Sequence, residues 1–152
     1  MKSMKKAKYY YKDGTSSGEL DYSKIIHRTD GPAVEHANGT RFWYVDDKRH
    51  RTDGPAMEYA DGTRFWYVND KRHRVDGPAM EYVGGSKLWY VDDKLHRIDG
   101  PAMEYIDWSS EWYVDDKRYS EKEFKALIEE VESLSEALKL IDPREWVRKE
   151  GR

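Results

Sequence analysis

The sequence predicts a mainly β protein: an elongated row of stacked antiparallel β-hairpins with a C-terminal amphipathic helical cap. Three observations carry this. His27, His50, His73 and His96 recur every 23 residues, and each opens a near-copy of one unit. Each unit sets a turn, Gly-bearing in the first three, between short aromatic and β-branched stretches. From Ser120 onward the apolar residues follow helical spacing instead.

The units are 27–49, 50–72, 73–95 and 96–118. Unit two reads HRTDGPAMEYADGTRFWYVNDKR. Ala56 to Tyr59 is its first strand, with Pro55 at the strand start, where a missing N–H is tolerated. Asp61-Gly62 lies in the turn, and Arg64 to Val68 is the second strand. Four such units predict eight strands. Upstream, YYYKDGT (Tyr9 to Thr15) matches the middle of a unit, MEYADGT, so 9–26 is a degenerate half-unit. A lone two-stranded hairpin is marginal, so the units must stack to bury surface. The repeat domain is therefore 1–118, and 119–152 is the cap.

In the cap, Ser120-x-x-Glu123 is a capping box. Phe124, Leu127, Ile128, Val131, Leu134, Leu138 and Ile141 then define one apolar face, predicting a helix from about Glu121 to Leu140. Asp142-Pro143 reads as the start of a short second helix carrying Trp146 and Val147. An open strand edge is a liability that terminal caps remove. The rival role for the helix is partner binding.

Composition narrows the function classes. Only 25 of 152 residues are Leu, Ile, Val or Phe, but 21 are aromatic and the net charge is −3. That describes an ordered domain with a thin aromatic core. The chain has no cysteine, which excludes disulfides and thiolate metal sites. No run of about 18 apolar residues exists, so no membrane span is expected. The basic N-terminus lacks the apolar stretch of a secretory signal, so a cytoplasmic location is expected. Charge is graded along the chain: +3 over 1–26, zero in units one and two, −1 and −3 in units three and four, −4 over 120–142 and +2 at the end.

The H-R-x-D-G-P-A element, the Gly turn and the following W-Y together resemble MORN-like β-hairpin repeats. They are closest to repeats common in bacteriophage accessory proteins of unknown function. The likeness covers His27 to Arg118, and more weakly Tyr9 to Ile26. It implies an interaction scaffold rather than an enzyme. It further implies a phage-encoded inhibitor of a bacterial host enzyme or defence system, working in the host cytoplasm with a host protein as partner. Asp46-Asp47, Asn69-Asp70, Asp92-Asp93 and Asp115-Asp116 stand where such repeats carry Asn-Gly, which puts a tight turn there in question. Asp107-Trp108 replaces Asp-Gly in unit four, which predicts an irregular hairpin.

The residues themselves point the same way. Arg28/Asp30, Arg51/Asp53, Arg74/Asp76 and Arg97/Asp99 recur in every unit and read as a structural ladder of ion pairs. The single histidines lack a second ligand at metal-binding spacing and read as stacked neutral imidazoles, so no metal and no cofactor are expected. No nucleophile elbow or phosphate-cradling loop is present, so catalysis is not expected. Neutral and acidic units argue against nucleic acid, although stacked aromatics beside Arg and Lys keep a single-strand binder as an alternative. A nucleotide or small ligand held between rings is the other alternative. Positions that vary between units are free of the stacking requirement. The expected partner-binding surface is therefore Phe42, Tyr44, Phe65, Tyr67, Leu88, Tyr90 and Trp108. The competing reading packs these residues under the helix or a second sheet layer.

Overall fold

The computed structural model describes residues 7–139. The protein is mainly β: the described residues form one long antiparallel sheet of eleven strands built from hairpin repeats, three outer hairpins and one helix after the repeats. Each unit makes two hairpins. In unit two, Met57–Glu58 pairs with Arg64–Phe65 inside the long sheet. Tyr67–Val68 then pairs with Lys71–Arg72 as a separate outer hairpin. Units one and three repeat this division.

The expected continuous strand from Arg64 to Val68 is thus broken at Trp66. The following unit causes the break. Its Ala79 carbonyl accepts from Trp66 N–H at 2.8 Å, and its His73 N–H donates to the Trp66 carbonyl at 3.2 Å. With both backbone groups claimed by the next unit, the strand changes partner. Unit four has no following unit, and Ser110–Val114 runs unbroken before turning into Lys117–Tyr119. The sheet exceeds eight strands because the half-unit adds Lys8–Tyr10 and Ser16–Ser17, and the last strand joins it too.

Cross-strand register sorts the side chains by chemistry. Val34, Phe42, Met57, Phe65, Met80, Leu88 and Met103 oppose one another in sequence along one face. On the other face Lys8, Glu35, Arg41, Glu58, Arg64, Glu81, Lys87 and Glu104 alternate in sign. Opposite charges directly across a sheet are favourable.

At the core lies a column of alanines: Ala33, Ala56, Ala79 and Ala102 are each fully buried. The Ala56 carbonyl accepts from Trp43 N–H, so the backbones of two units meet there and leave room only for a methyl group. Tyr11, Tyr67 and Tyr90 are the buried aromatic residues of the repeats, and a half-buried edge-to-face run, His36–Phe42–Tyr59–Phe65, extends to exposed Tyr82 with ring centroids 5.3–5.5 Å apart.

The chain divides into two compact units between Arg118 and Tyr119. The helix spans Glu121–Lys139 within the described residues. Its start is the predicted capping box: Ser120 N–H donates to Glu123 Oε2 at 2.8 Å, and Glu123 N–H to Ser120 Oγ at 3.3 Å. Phe124 is buried, while Val131 and Leu134 are exposed. The second helix expected after Asp142-Pro143 lies outside the described residues. No described helix is long and apolar enough to cross a membrane.

Candidate functional site

The repeated polar residues build the frame on which any site must sit. In unit two, Arg51 Nε donates to Asp53 Oδ1 at 2.8 Å, while Nη1 donates to the Pro55 carbonyl at 3.2 Å and to Glu58 Oε1 at 3.1 Å. The guanidinium lies 4.1 Å over the Trp43 ring of the preceding unit. Its other side faces Gly54, where a Cβ would fall 2.9 Å from Arg51 Cζ. Arg74 repeats this on Trp66 and Gly77, and Arg97 on Trp89 and Gly100. Arg28 does so on Tyr10 and Gly31. The Gly of G-P is required by close approach, not by backbone conformation. The expected Arg–Asp ladder is therefore present within each unit, and Arg stacking joins each unit to the one before it, on Trp for units two to four and on Tyr10 for unit one. Its hydrogen bonds hold Asp30, Asp53, Asp76 and Asp99 below the usual carboxylate range.

The Asp-Asp pairs form tight turns after all. Asp46 and Asp47 have φ of 51° and 60°, and the other three pairs are left-handed too. Two left-handed residues between Val45 and Lys48 make a type I′ hairpin. Asp replaces Gly because its side chain acts outside the turn. Asp47 N–H donates to the Ile26 carbonyl at 2.9 Å, and its Oδ1 accepts from Ile26 N–H at 2.6 Å. Asp70 holds Arg49, Asp93 holds Arg72 and Asp116 holds Leu95 in the same two-point clamp. The histidines meet these turns rather than one another. His27, His73 and His96 place Nδ1 3.0–3.1 Å from Asp46, Asp92 and Asp115, and His50 meets Asn69 at 2.9 Å. No group of three or more metal-ligating side chains occurs among the described residues.

The residues expected at the partner surface divide into three groups. Tyr67 and Tyr90 are buried, each 8% exposed, and are covered by Arg49 and Arg72 at 4.0 and 3.9 Å. Burial raises the Tyr90 hydroxyl's pKa and, at the half-buried site, that of Tyr44. Phe42, Phe65 and Leu88 are half-buried in the sheet's apolar row. Trp108 alone stands clear of the fold, at 95% exposure.

Trp108 also occupies an unusual backbone position. The hairpin in unit four keeps its register, Met103 opposite Glu111 and Glu104 opposite Ser110. It is not irregular. The turn keeps its bonds as well: Ser109 N–H donates to Asp107 Oδ1 at 3.0 Å, as Thr63 N–H does to Asp61 at 2.8 Å. The equivalent turn position elsewhere is Gly14, Gly39, Gly62 or Gly85, all with positive φ. Trp108 takes φ of 67° there, which costs about 1–2 kcal/mol for a residue with a Cβ.

Sequence reasoning missed the neighbours of this residue. Val83 and Ile106 stand at the tips of units three and four and are exposed. Units one and two have Ala37 and Ala60 at that place. The loops change in parallel, from Thr29 and Thr52 to exposed Val75 and Ile98. The signal was available: these are positions where two units agree and two differ. Between consecutive loops lie grooves of about 750 and 650 Å3, lined by Trp43, Val45 and Thr52 in one case and Trp89, Val91 and Ile98 in the other. Comparison with protein-family models, curated proteins and solved structures finds no match to this chain.

Proposed function

We propose that this chain is a non-catalytic protein-binding scaffold. The observation that carries the reading is the segregation of its side chains. Recurrent polar residues are consumed by bonds within and between units, and no buried side-chain N or O among the described residues lacks a partner. Large apolar side chains are instead left exposed at variable positions of units three and four. Clustered exposed apolar groups on a preorganised frame suit protein recognition, because little side-chain freedom is lost on docking.

The likeness of the H-R-x-D-G-P-A unit to phage repeats supports a narrower form: an accessory protein acting in the bacterial cytoplasm on a host enzyme or defence component. A nucleotide held between rings is less favoured. Trp43, Trp66 and Trp89 already carry a guanidinium on a ring face. The test is capture with the tagged full chain from nuclease-treated bacterial lysate, read by mass spectrometry. One stoichiometric protein is expected. Recovery of nucleotide or nucleic acid without protein would reverse the order of the readings.

A further inference from the structure

We infer that the tips of units three and four form a docking surface for a basic protein segment, one whose Arg stacks on Trp108 and pairs with Asp107. This rests on the protein-binding reading and names its place and partner chemistry.

At Trp108 a bulky residue is held in a left-handed turn that four sister turns fill with Gly, and its ring is 95% exposed. Nothing among the described residues gains from an indole there. Val83 and Ile106 extend the apolar surface: Ile106 N–H donates to Ser86 Oγ at 3.3 Å, and its Cδ1 lies against Gly84. Unit three has Gly84-Gly85 at its tip, where units one and two have Asn38-Gly39 and Asp61-Gly62, so the polar turn side chain of those units is missing beside Val83.

Charge complementarity selects the partner. Units one and two are neutral, unit three is −1 and unit four is −3. Unit four owes its excess to particular positions. Ser110 stands where Arg41, Arg64 and Lys87 stand in earlier units, and Glu111 stands where Phe42, Phe65 and Leu88 do. Asp107 bonds only Ser109 and has no cation partner among the described residues. A basic segment is drawn to this end and not to the neutral one.

Guanidinium groups lie 3.9–4.1 Å over Trp43, Trp66 and Trp89. Trp108 has no such partner among the described residues. An incoming Arg reproduces the internal contact, with the flat guanidinium on the indole and its edge toward the Asp107 carboxylate.

The experiment selects a displayed library of random 12-residue peptides on the immobilised full chain. Enriched peptides are then synthesised and titrated against three proteins. Peptides rich in Arg and aliphatic residues are expected, with affinity falling as salt rises. Trp108→Gly should weaken them about tenfold or more. It should also raise the melting temperature, since Gly suits the turn. Asp107→Asn keeps the turn bond that Asn38 makes in unit one, and should weaken binding several-fold with a shallower salt dependence. Enriched peptides that bind Trp108→Gly as well as the parent overturn this surface and leave the scaffold reading intact. No enrichment, with no protein captured from lysate, overturns both. Trp108-dependent binding of a 20-nucleotide single strand in place of peptide overturns the choice of partner.

Discussion

Units one and two and units three and four share one frame but present different surfaces. Arg51 and Arg74 make the same contacts, 2.8 Å to Asp53 and Asp76 and 3.1 Å to Glu58 and Glu81. The tips above that frame diverge. Ala37 and Ala60 give way to Val83 and Ile106, and a turn glycine gives way to Trp108. Neutral charge gives way to acidic. In a repeat stack each unit contacts only its neighbours, so residues that make the inter-unit bonds must recur in every unit. Side chains outside those bonds are released to vary. What varies consistently within one half of the stack is where we propose that the molecule meets its partner.

The comparison can be broken at the frame. The largest effect is expected from Gly54→Ala or Gly77→Ala, because the new methyl falls 2.9 Å from the Arg Cζ and expels the guanidinium from its Trp. A loss of about 2–4 kcal/mol is expected, measured by denaturant unfolding. The effect should be equal in both halves; a large difference between the two variants would end the claim of a common frame. Arg74→Lys comes next. Lys keeps the charge but cannot reach Asp76, Pro78 and Glu81 together while lying flat on Trp66. A cost of about 1–3 kcal/mol is expected, with no rescue from the retained charge.

Trp108→Gly has the opposite sign and sharpens the comparison. Stability should rise by about 1–2 kcal/mol, or roughly 2–6 °C in melting temperature, because left-handed strain is relieved. Gly62→Ala at the equivalent tip in unit two should lose about 1 kcal/mol, for the open space there leaves only backbone strain. Calorimetry of both variants checks the pair.

Acid acts on both halves alike. Arg hydrogen bonds depress Asp30, Asp53, Asp76 and Asp99, so these groups bind fewer protons folded than unfolded near pH 4. Their contribution is complete above the unfolded carboxylate pKa of about 4 and is lost as pH falls toward the folded values. Circular dichroism should show a folded protein at pH 6 and steep loss of stability below about pH 4. Stability flat down to pH 3 would remove the Arg–Asp ladder from any energetic role.

The period, the hairpins and the capped helix were legible because each rests on local chemistry. The 23-residue recurrence, the turn residues and Ser120-x-x-Glu123 can be read without knowing what packs on what. Trp108 was legible as an outlier, since a residue found once in four repeats stands out, and it is exposed. The burial of Tyr67 and Tyr90 was not legible, because Arg49 and Arg72 cover them only once the outer hairpins have formed.

By itself, the sequence determined the 23-residue recurrence of a β-hairpin unit and the Gly-bearing turns of its inner hairpins. Tertiary structure alone decided that Trp66 would break its strand, since the bonds responsible come from Ala79 and His73 of the next unit. It also decided that Asp-Asp would outdo Asn-Gly, because the second Asp reaches back 21 residues to Ile26. Inter-unit hydrogen bonds join residues far apart in the chain. Their geometry exists only once neighbouring units have docked, so no local reading of propensity contains it.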